Sequence, residues 1–306
     1  MLAYSILLHT DIPQFEVLFR NIYDAENIYA IHLDADASHS DRKRVEDFVH
    51  PYHNVHLVPP LRCIWAGWSL VAAELRAIRL LTSIDPSWRF YVNLSGQDMP
   101  LASQATIRRT LSAHDGSNFI EIADPTTHFW VPKRYEFLYV EQFLFGKSQI
   151  RIPRYHRPFL KGVRWYSGSH FKILSRDFCD FLADKKNIAK YENFFRFSHM
   201  ADEQFYQTVI MDTEFAHTVI NDNKRYLLHA DNTAHPKWLT IEDFDVLRDS
   251  KKLYARKFAT GISSELIRRI ESDLLNKQGD EPVASNAQSV APPSALQGTR
   301  VLDSAL

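Results

Sequence analysis

Apolar positions along the chain follow two patterns that take turns. AYSILLH at 3–9 is a compact apolar run and predicts a buried strand. In the following IPQFEVLFRNIY, Phe15, Leu18, Phe19 and Ile22 lie at i, i+3, i+4 and i+7, on one helical face. NIYAIHLD is a second strand and ends at Asp34. SDRKRVEDFVHPY reads as a helix, with Ser40 an acceptable cap. VHLVPP is a third strand, stopped by Pro59 and Pro60. In SLVAAELRAIRLL, Val71, Leu75 and Ile78 share a helical face. RFYVNLSGQDMPL is a fourth strand running into a turn, SQATIRRTLSAH is helical, and NFIEIAD is a further strand. This alternation over residues 3–124 predicts an α/β fold, a mostly parallel sheet with helices on both faces.

Past residue 124 the pattern changes. Residues 128–171 hold many aromatic and basic side chains and few clear periods. KILSRDFCDFL returns to strand and then helix, residues 202–211 read as helix, and SSELIRRIESDLL is the last helical segment. From 276 the chain turns Pro-, Ser-, Ala- and Gln-rich without period, the composition of a disordered tail. One ordered domain is therefore expected over 1–275, with a disordered tail over 276–306.

Composition removes several classes of function. The 306 residues carry a net charge of −1, so no basic field exists to draw nucleic acid or anionic lipid. At 45% hydrophobic the chain can bury a sizeable core. Two cysteines, Cys63 and Cys179, imply no disulfide framework and fit a reducing compartment. No apolar run reaches the roughly 20 residues of a membrane span. The opening MLAYSILLHT lacks a basic region and a small-residue cleavage site, so it reads as the first strand and not as a signal peptide.

Candidate chemistry clusters at the predicted strand ends, where open parallel sheets bind ligands. His9 ends the first strand and Asp34 the second. Asp34-Ala35-Asp36 admits three readings: a divalent-cation pair, a single Asp that reads a ribose or base edge, or a turn. No G-x-G-x-x-G or G-x-x-x-x-G-K-[ST] occurs, which disfavours a dinucleotide or P-loop site. CIWAGWSLVAAEL puts Trp65 and Trp68 before a helix, either to stack on a base or as core, with Ser69 as a cap. Asn93, Ser95, Gln97 and Asp98 form a polar turn after the fourth strand. Asp202 and Glu203 stand at a helix start, as end charges or as a carboxylate base. Arg256 and Lys257, preceded by Lys251 and Lys252, are either a solvated face or a diphosphate grip.

Taken in order, YAIHLDADAS, WAGWSLVAAEL, FYVNLSGQDMPL, GSHFKILSRDF, DEQFYQTVI and LYARKF resemble the branching glycosyltransferases. These are the core-2/I-branching β-1,6-N-acetylglucosaminyltransferases and the peptide O-xylosyltransferases. The resemblance runs over residues 3–258. It implies a GT-A-like, Rossmann-like fold with a nucleotide-binding half at 1–124 and an acceptor and catalytic half at 125–275. It also implies an inverting transfer of GlcNAc or xylose from a UDP-sugar to a hydroxyl of a glycan or protein, with no metal and no other cofactor.

The resemblance assigns roles as well. Glu203 matches the catalytic base. Leu7, His9 and Asp34 match the uridine pocket, and Ile64 and Trp65 match positions packed around the nucleotide. Arg256 and Lys257 match the basic pair that replaces a cation at the diphosphate, while Asp36 has no matching role. Lys133 and Arg134, in WVPKRYEF, match a segment that contacts acceptor sugar. In the xylosyltransferase branch an Asp-Trp follows the GS; here it is His170-Phe171, with His170 a nucleotide-sugar-binding candidate, a departure that argues against carrying protein-xylosylating specificity over. Absence of the anchor and the many cysteines of animal members points to a bacterial relative acting in the cytoplasm. Contact with a membrane surface is left open, and no nucleic-acid partner is implied. Three competing readings are a peptide O-xylosyltransferase using UDP-xylose, a cation-dependent enzyme using Asp34 and Asp36, and a non-catalytic glycan-binding module.

Overall fold

A computed structural model describes residues 1–123, 135–144, 146–228 and 236–275. Four strands form a parallel set: β1 (Leu2–Leu8), β2 (Ile28–Leu33), β3 (Val55–Leu57) and β4 (Phe90–Ser95). β1 lies between β2 and β4, and β3 is the outer neighbour of β2. Next to β4 the sheet turns mixed: β9 (Lys172–Ser175) pairs antiparallel with β4 and with β6 (Asn118–Ile120). β10 (Val219–Ile220) closes the seven-stranded edge, parallel to β6.

Alternation along the strands sends side chains into two cores. From β1 and β2, Tyr4, Ile6, Leu8, Tyr29 and Ile31 enter one core with Phe15, Leu18, Phe19 and Ile22 of α1 (Ile12–Ile22). Ala3, Ile28 and Ala30 face the opposite core with Val71, Leu75 and Ile78 of α3 (Trp68–Ile84). That opposite core also takes Phe178 of α5 (Arg176–Ala183), Ile188 of α6 (Lys185–Phe195) and Val209 of α7 (Phe205–Met211). The first core takes Val45 of α2 (His39–Val49) and Ile107 of α4 (Gln104–Ser112). Helices on both faces are thus a direct result of period-two strands bearing apolar residues on both sides.

Local signals differ from expectation in places. α2 is capped by Ser38, whose hydroxyl accepts from Asp41 N at 3.0 Å, and not by Ser40. α3 begins without a side-chain cap of its own; Gly67 is its N-cap. Residues 128–171 contain a hairpin, β7 (Phe137–Gln142) with β8 (Ser148–His156). The strand residues whose burial is described are half-exposed or exposed on both faces, so no alternating pattern marks it. The turn after β4 enters a second small sheet, in which β12 (Tyr254–Arg256) runs parallel to β11 (Arg225–Leu227) and antiparallel to β5 (Asp98–Pro100). Among the described residues no helix is long and apolar enough to cross a membrane. The expected tail lies outside the described residues.

One ion pair crosses the second core. Glu74 of α3 and Lys172 of β9 are both fully buried, with Lys172 Nζ 2.9 Å from Glu74 Oε2. Tyr91 on β4 donates to Glu74 Oε1 at 3.0 Å, and Lys172 Nζ lies 3.8 Å from the centre of the Tyr206 ring. Burial pulls the ammonium below its ordinary value, and Glu74 beside it opposes that. Removing one partner leaves an uncompensated buried charge. Lys172→Met should therefore cost about 3–5 kcal/mol of stability, while Glu74→Leu with Lys172→Met should recover most of it. Urea unfolding of the two variants checks this; a single variant as stable as the parent contradicts it.

Candidate functional site

Asp34 closes β2 and is nearly buried, at 4% exposure. Its Oδ1 accepts from Asp36 N at 2.8 Å, the geometry of an Asx turn, and its Oδ2 accepts from Cys63 N at 3.0 Å. Lys147, in the β7–β8 turn, donates to the same Oδ1 at 2.8 Å and lies 3.0 Å from Asp36 Oδ2. Arg62 pairs with Asp36 at 2.8 Å. Asp36 is therefore an ion-pair partner, where sequence reading gave it no role; Lys147 and Arg62 hold its carboxyl below the ordinary value. An ammonium stands between the two carboxylates, in the place a cation-pair reading assigns to a metal. Among the described residues no group of three or more His, Cys, Asp and Glu could hold a metal ion.

Neighbouring loops are fixed by backbone bonds to neutral groups. Burial pushes His32 down to about 4, so at neutral pH its uncharged Nε2 accepts from Leu61 N at 3.0 Å. Burial, assisted by Asp34, pushes the Cys63 thiol up to about 12, so this thiol is a structural group. Ile64 is buried and donates its N–H to Ser69 Oγ at 2.8 Å. Ser69 thus serves the preceding loop, and the start of α3 is served instead by Glu141, whose Oε1 accepts from Ser69 N and Ser69 Oγ at 2.9 Å each. The close fit explains Gly67: a Cβ there would fall 1.9 Å from Glu141 Oε1. Trp65 is 58% exposed with its ring 6.4 Å from that of His199, whereas Trp68 is core.

The small sheet supplies the positive end. Register places Arg256 opposite Asp98, and Arg256 Nη1 meets Asp98 Oδ1 at 3.1 Å. Arg225, which sequence reading did not single out, is buried between the Phe171 and Tyr254 rings, 4.6 and 4.8 Å from their centres, and reaches Asp98 Oδ2 at 3.4 Å. Two guanidinium groups thus share one buried carboxylate, and Lys257 follows directly. The Lys257 ammonium lies over the Trp238 ring at 4.1 Å and is held below its ordinary value by burial and by Arg256. His9 registers all these charges. Burial and Arg256, Lys257 and Lys147 lower its pKa, and Asp34 raises it. Leu7, half-buried, lies between His32 and Ser95 in register. The ends of β1 and β2 and the Arg256-Lys257 segment therefore lie together at the C-terminal end of the parallel strands.

Glu203 ends a single 3₁₀ turn, Ala201–Glu203, just ahead of α7. The turn is pinned from beneath by buried Gln204, whose amide donates to the His199 and Met200 carbonyls at 2.6 and 2.8 Å and accepts from Trp165 Nε1 at 2.8 Å. Met200 N donates to Ala66 O at 2.7 Å, which ties the turn to the Trp65 loop. The Glu203 carbonyl accepts from Gly168 N at 2.9 Å and Ser167 Oγ at 3.0 Å. A Cβ at Gly168 would lie 1.9 Å from Glu121 O, so the GS pair lets two backbones pass closely. The Glu203 side chain is half-buried.

Asp202 is more than a helix-end charge. It is mostly buried and its Oδ2 lies 3.3 Å from His170 Nδ1. His170 Nε2 is 3.4 Å from Asn93 Nδ2, and the His170 carbonyl accepts from Lys172 Nζ at 2.8 Å. Phe171 beside it carries Arg256 at 5.1 Å and Arg225 on its ring. The structure thus brings together Leu7, His9, Asp34, Ile64, Trp65, His170, Glu203, Arg256 and Lys257, adds Arg225, Lys147 and Glu141, and leaves Lys133 and Arg134 outside the described residues. The Arg that opens the apolar run RYL after Lys224 was the signal for Arg225; a buried charge needs a partner.

Carboxylates and cations thus gather near the ends of the parallel strands, and comparison with known proteins shows what the chain as a whole is similar to. A human β-1,3-galactosyl-O-glycosyl-glycoprotein β-1,6-N-acetylglucosaminyltransferase 3 is 25% identical over 209 residues, 68% of this chain and 47% of that protein. A Bos taurus β-1,3-galactosyl-O-glycosyl-glycoprotein β-1,6-N-acetylglucosaminyltransferase is 28% identical over 68% of this chain and 48% of its own length. Xylosyltransferase 1 of Canis lupus familiaris is 25% identical over 73% of this chain and 24% of its own. The chain spans about half the length of the acetylglucosaminyltransferases it matches. The sequence model of the Core-2/I-branching enzymes matches residues 2–248, and the chain belongs to that family.

Proposed function

We propose that this chain is a glycosyltransferase that moves GlcNAc from a UDP-sugar to a hydroxyl of a glycan by a single inverting displacement, without a metal. The observation that carries this reading is the meeting of Asp34, the Arg256-Lys257 segment and the Glu203 turn at one end of the parallel strands. Uracil N3–H needs an acceptor, and Asp34 is a carboxylate held at the strand end. A diphosphate needs compensating charge, and Arg256 and Lys257 offer it as two adjacent cations whose mutual repulsion an anion relieves. Glu203 is the general base: it takes the proton of the acceptor hydroxyl as that oxygen attacks C1 from the side opposite UDP. One carboxylate base and a cationic grip on the leaving group meet the requirements of such a displacement. The ammonium of Lys147 between Asp34 and Asp36 supports the metal-free form of the reaction over a cation pair.

His170 faces the donor sugar in this reading, oriented by Asp202 and by its own carbonyl bond to Lys172. Its Nε2 already lies 3.4 Å from Asn93 Nδ2, so a sugar substituent would share or replace that contact. Peptide xylosylation is the second reading, supported by the xylosyltransferase relative; His170-Phe171 in place of Asp-Trp weighs against it.

Glu203→Gln keeps size and polarity but cannot accept the proton. It should bind UDP normally and lose about 10²–10⁴-fold in kcat; near-normal turnover of UDP-GlcNAc would remove Glu203 as the base. Turnover of the parent enzyme should persist in EDTA, and its loss there would restore the cation-pair reading. Lys257→Ala should weaken UDP by roughly tenfold, at the lower end for a charge-assisted bond because this side chain is only partly buried, and leave uridine unchanged. Titration calorimetry with both ligands measures this, and an equal loss for each would move Lys257 away from the phosphates.

A further inference from the structure

The β7–β8 hairpin is fastened to the crevice at several places. Glu141 holds the start of α3, Tyr139 N bonds Phe197 O at 3.0 Å, and Gln149 Oε1 lies 2.7 Å from His199 Nδ1. Phe143 lies over the Arg62 guanidinium at 5.0 Å. Lys147 needs none of these to hold the hairpin, yet its ammonium is aimed at the strand-end carboxylate of β2. An inventory of hydrogen-bonding capacity shows what the pair has left. Asp34 Oδ1 accepts two bonds, from Asp36 N and Lys147 Nζ, while Oδ2 accepts one, from Cys63 N. A carboxylate has about four acceptor sites, so Oδ2 keeps one. Lys147 has three N–H donors, and two are directed at Asp34 Oδ1 and Asp36 Oδ2. The ion-paired couple thus keeps one acceptor site, on Asp34, and one donor, on Lys147.

That is the complement of an imide edge, in which an N–H is flanked by a carbonyl. We propose that Lys147 is a donor-binding residue that, with Asp34, reads the imide edge of a uracil base. N3–H donates to Asp34 Oδ2, and Lys147 gives its third N–H to the carbonyl beside it. The proposal rests on the uridine-nucleotide reading above and adds to it a contact from the hairpin. The hairpin thereby joins the donor site to the loop that carries Glu203, since Gln149 and Tyr139 bind residues 197–199 of that loop.

The test is titration calorimetry of UMP and UDP against the parent protein, Lys147→Met and Lys147→Arg, with melting temperatures measured alongside. Lys147→Met should weaken UMP and UDP by the same factor, about tenfold, because the lost bond is to the base and not to the phosphates. Lys147→Arg, which restores a cationic donor, should recover most of the loss. N3-methylated UMP should bind the parent poorly and be little affected by Lys147→Met. A Lys147→Met protein that binds UMP as well as the parent, or more tightly, overturns the proposal and makes Lys147 a plug that nucleotide displaces. A loss confined to UDP also overturns it, since Lys147 would then serve the diphosphate. Failure of the parent protein to bind either nucleotide would remove the uridine reading itself, together with this addition to it.

Discussion

The ammonium of Lys172, buried under the crevice, is the contact on which the arrangement of the site depends. It is held by Glu74 from α3, and it in turn holds the carbonyl of His170. It thereby fixes the segment 168–171, which carries the imidazole facing Asp202, the ring that bears Arg225 and Arg256, and the backbone N–H bound to Glu203 O. A buried ion pair contributes little net stability but tolerates little displacement, because each charge depends on the other for solvation. A fixed carbonyl at His170 is one product of that intolerance. The crevice is therefore built on a strand edge whose position is set from inside the core.

Around this anchor the charges are unevenly spread. Asp98 is shared by two guanidinium groups, so the segment ending at Lys257 keeps an excess of positive charge toward the crevice. At the other end Asp34 and Asp36 are matched by Lys147 and Arg62. A ligand with a polar, hydrogen-bonding head and an anionic tail fits that gradient, which is the form of a nucleoside diphosphate. The proposed base lies on a turn that buried Gln204 and the GS backbone hold in place. Bonds of this kind fix where the backbone of the turn sits.

Much of this was legible in the sequence because it rests on local rules. Period-two apolar strands, the i, i+3, i+4 faces of α1 and α3, and polar residues at strand ends are all written within short windows. Asp34, Glu203 and the Arg256-Lys257 pair stood out through a resemblance carried by ordered motifs. The hairpin at β7–β8 was not legible, since its side chains face water on both sides and obey no period. Lys147 and Arg225 were missed for a different reason. Their partners, Asp34 and Asp98, lie far away in sequence, and a basic side chain gives no sign of which distant carboxylate it will meet. Asp202 was misread because a helix start was expected at the Asp-Glu pair, and the chain instead makes a 3₁₀ turn that points Asp202 at His170.

The central claim is that protein cations, not a bound metal, hold the diphosphate of the donor. The most direct measurement is a crystal structure of the protein grown with UDP and magnesium. The account predicts uracil against Asp34 and the two phosphates against Arg256 and Lys257, with no ion between phosphate and protein. Phosphates bridged by a magnesium ion to Asp34 and Asp36, with Arg256 and Lys257 turned away, would contradict it.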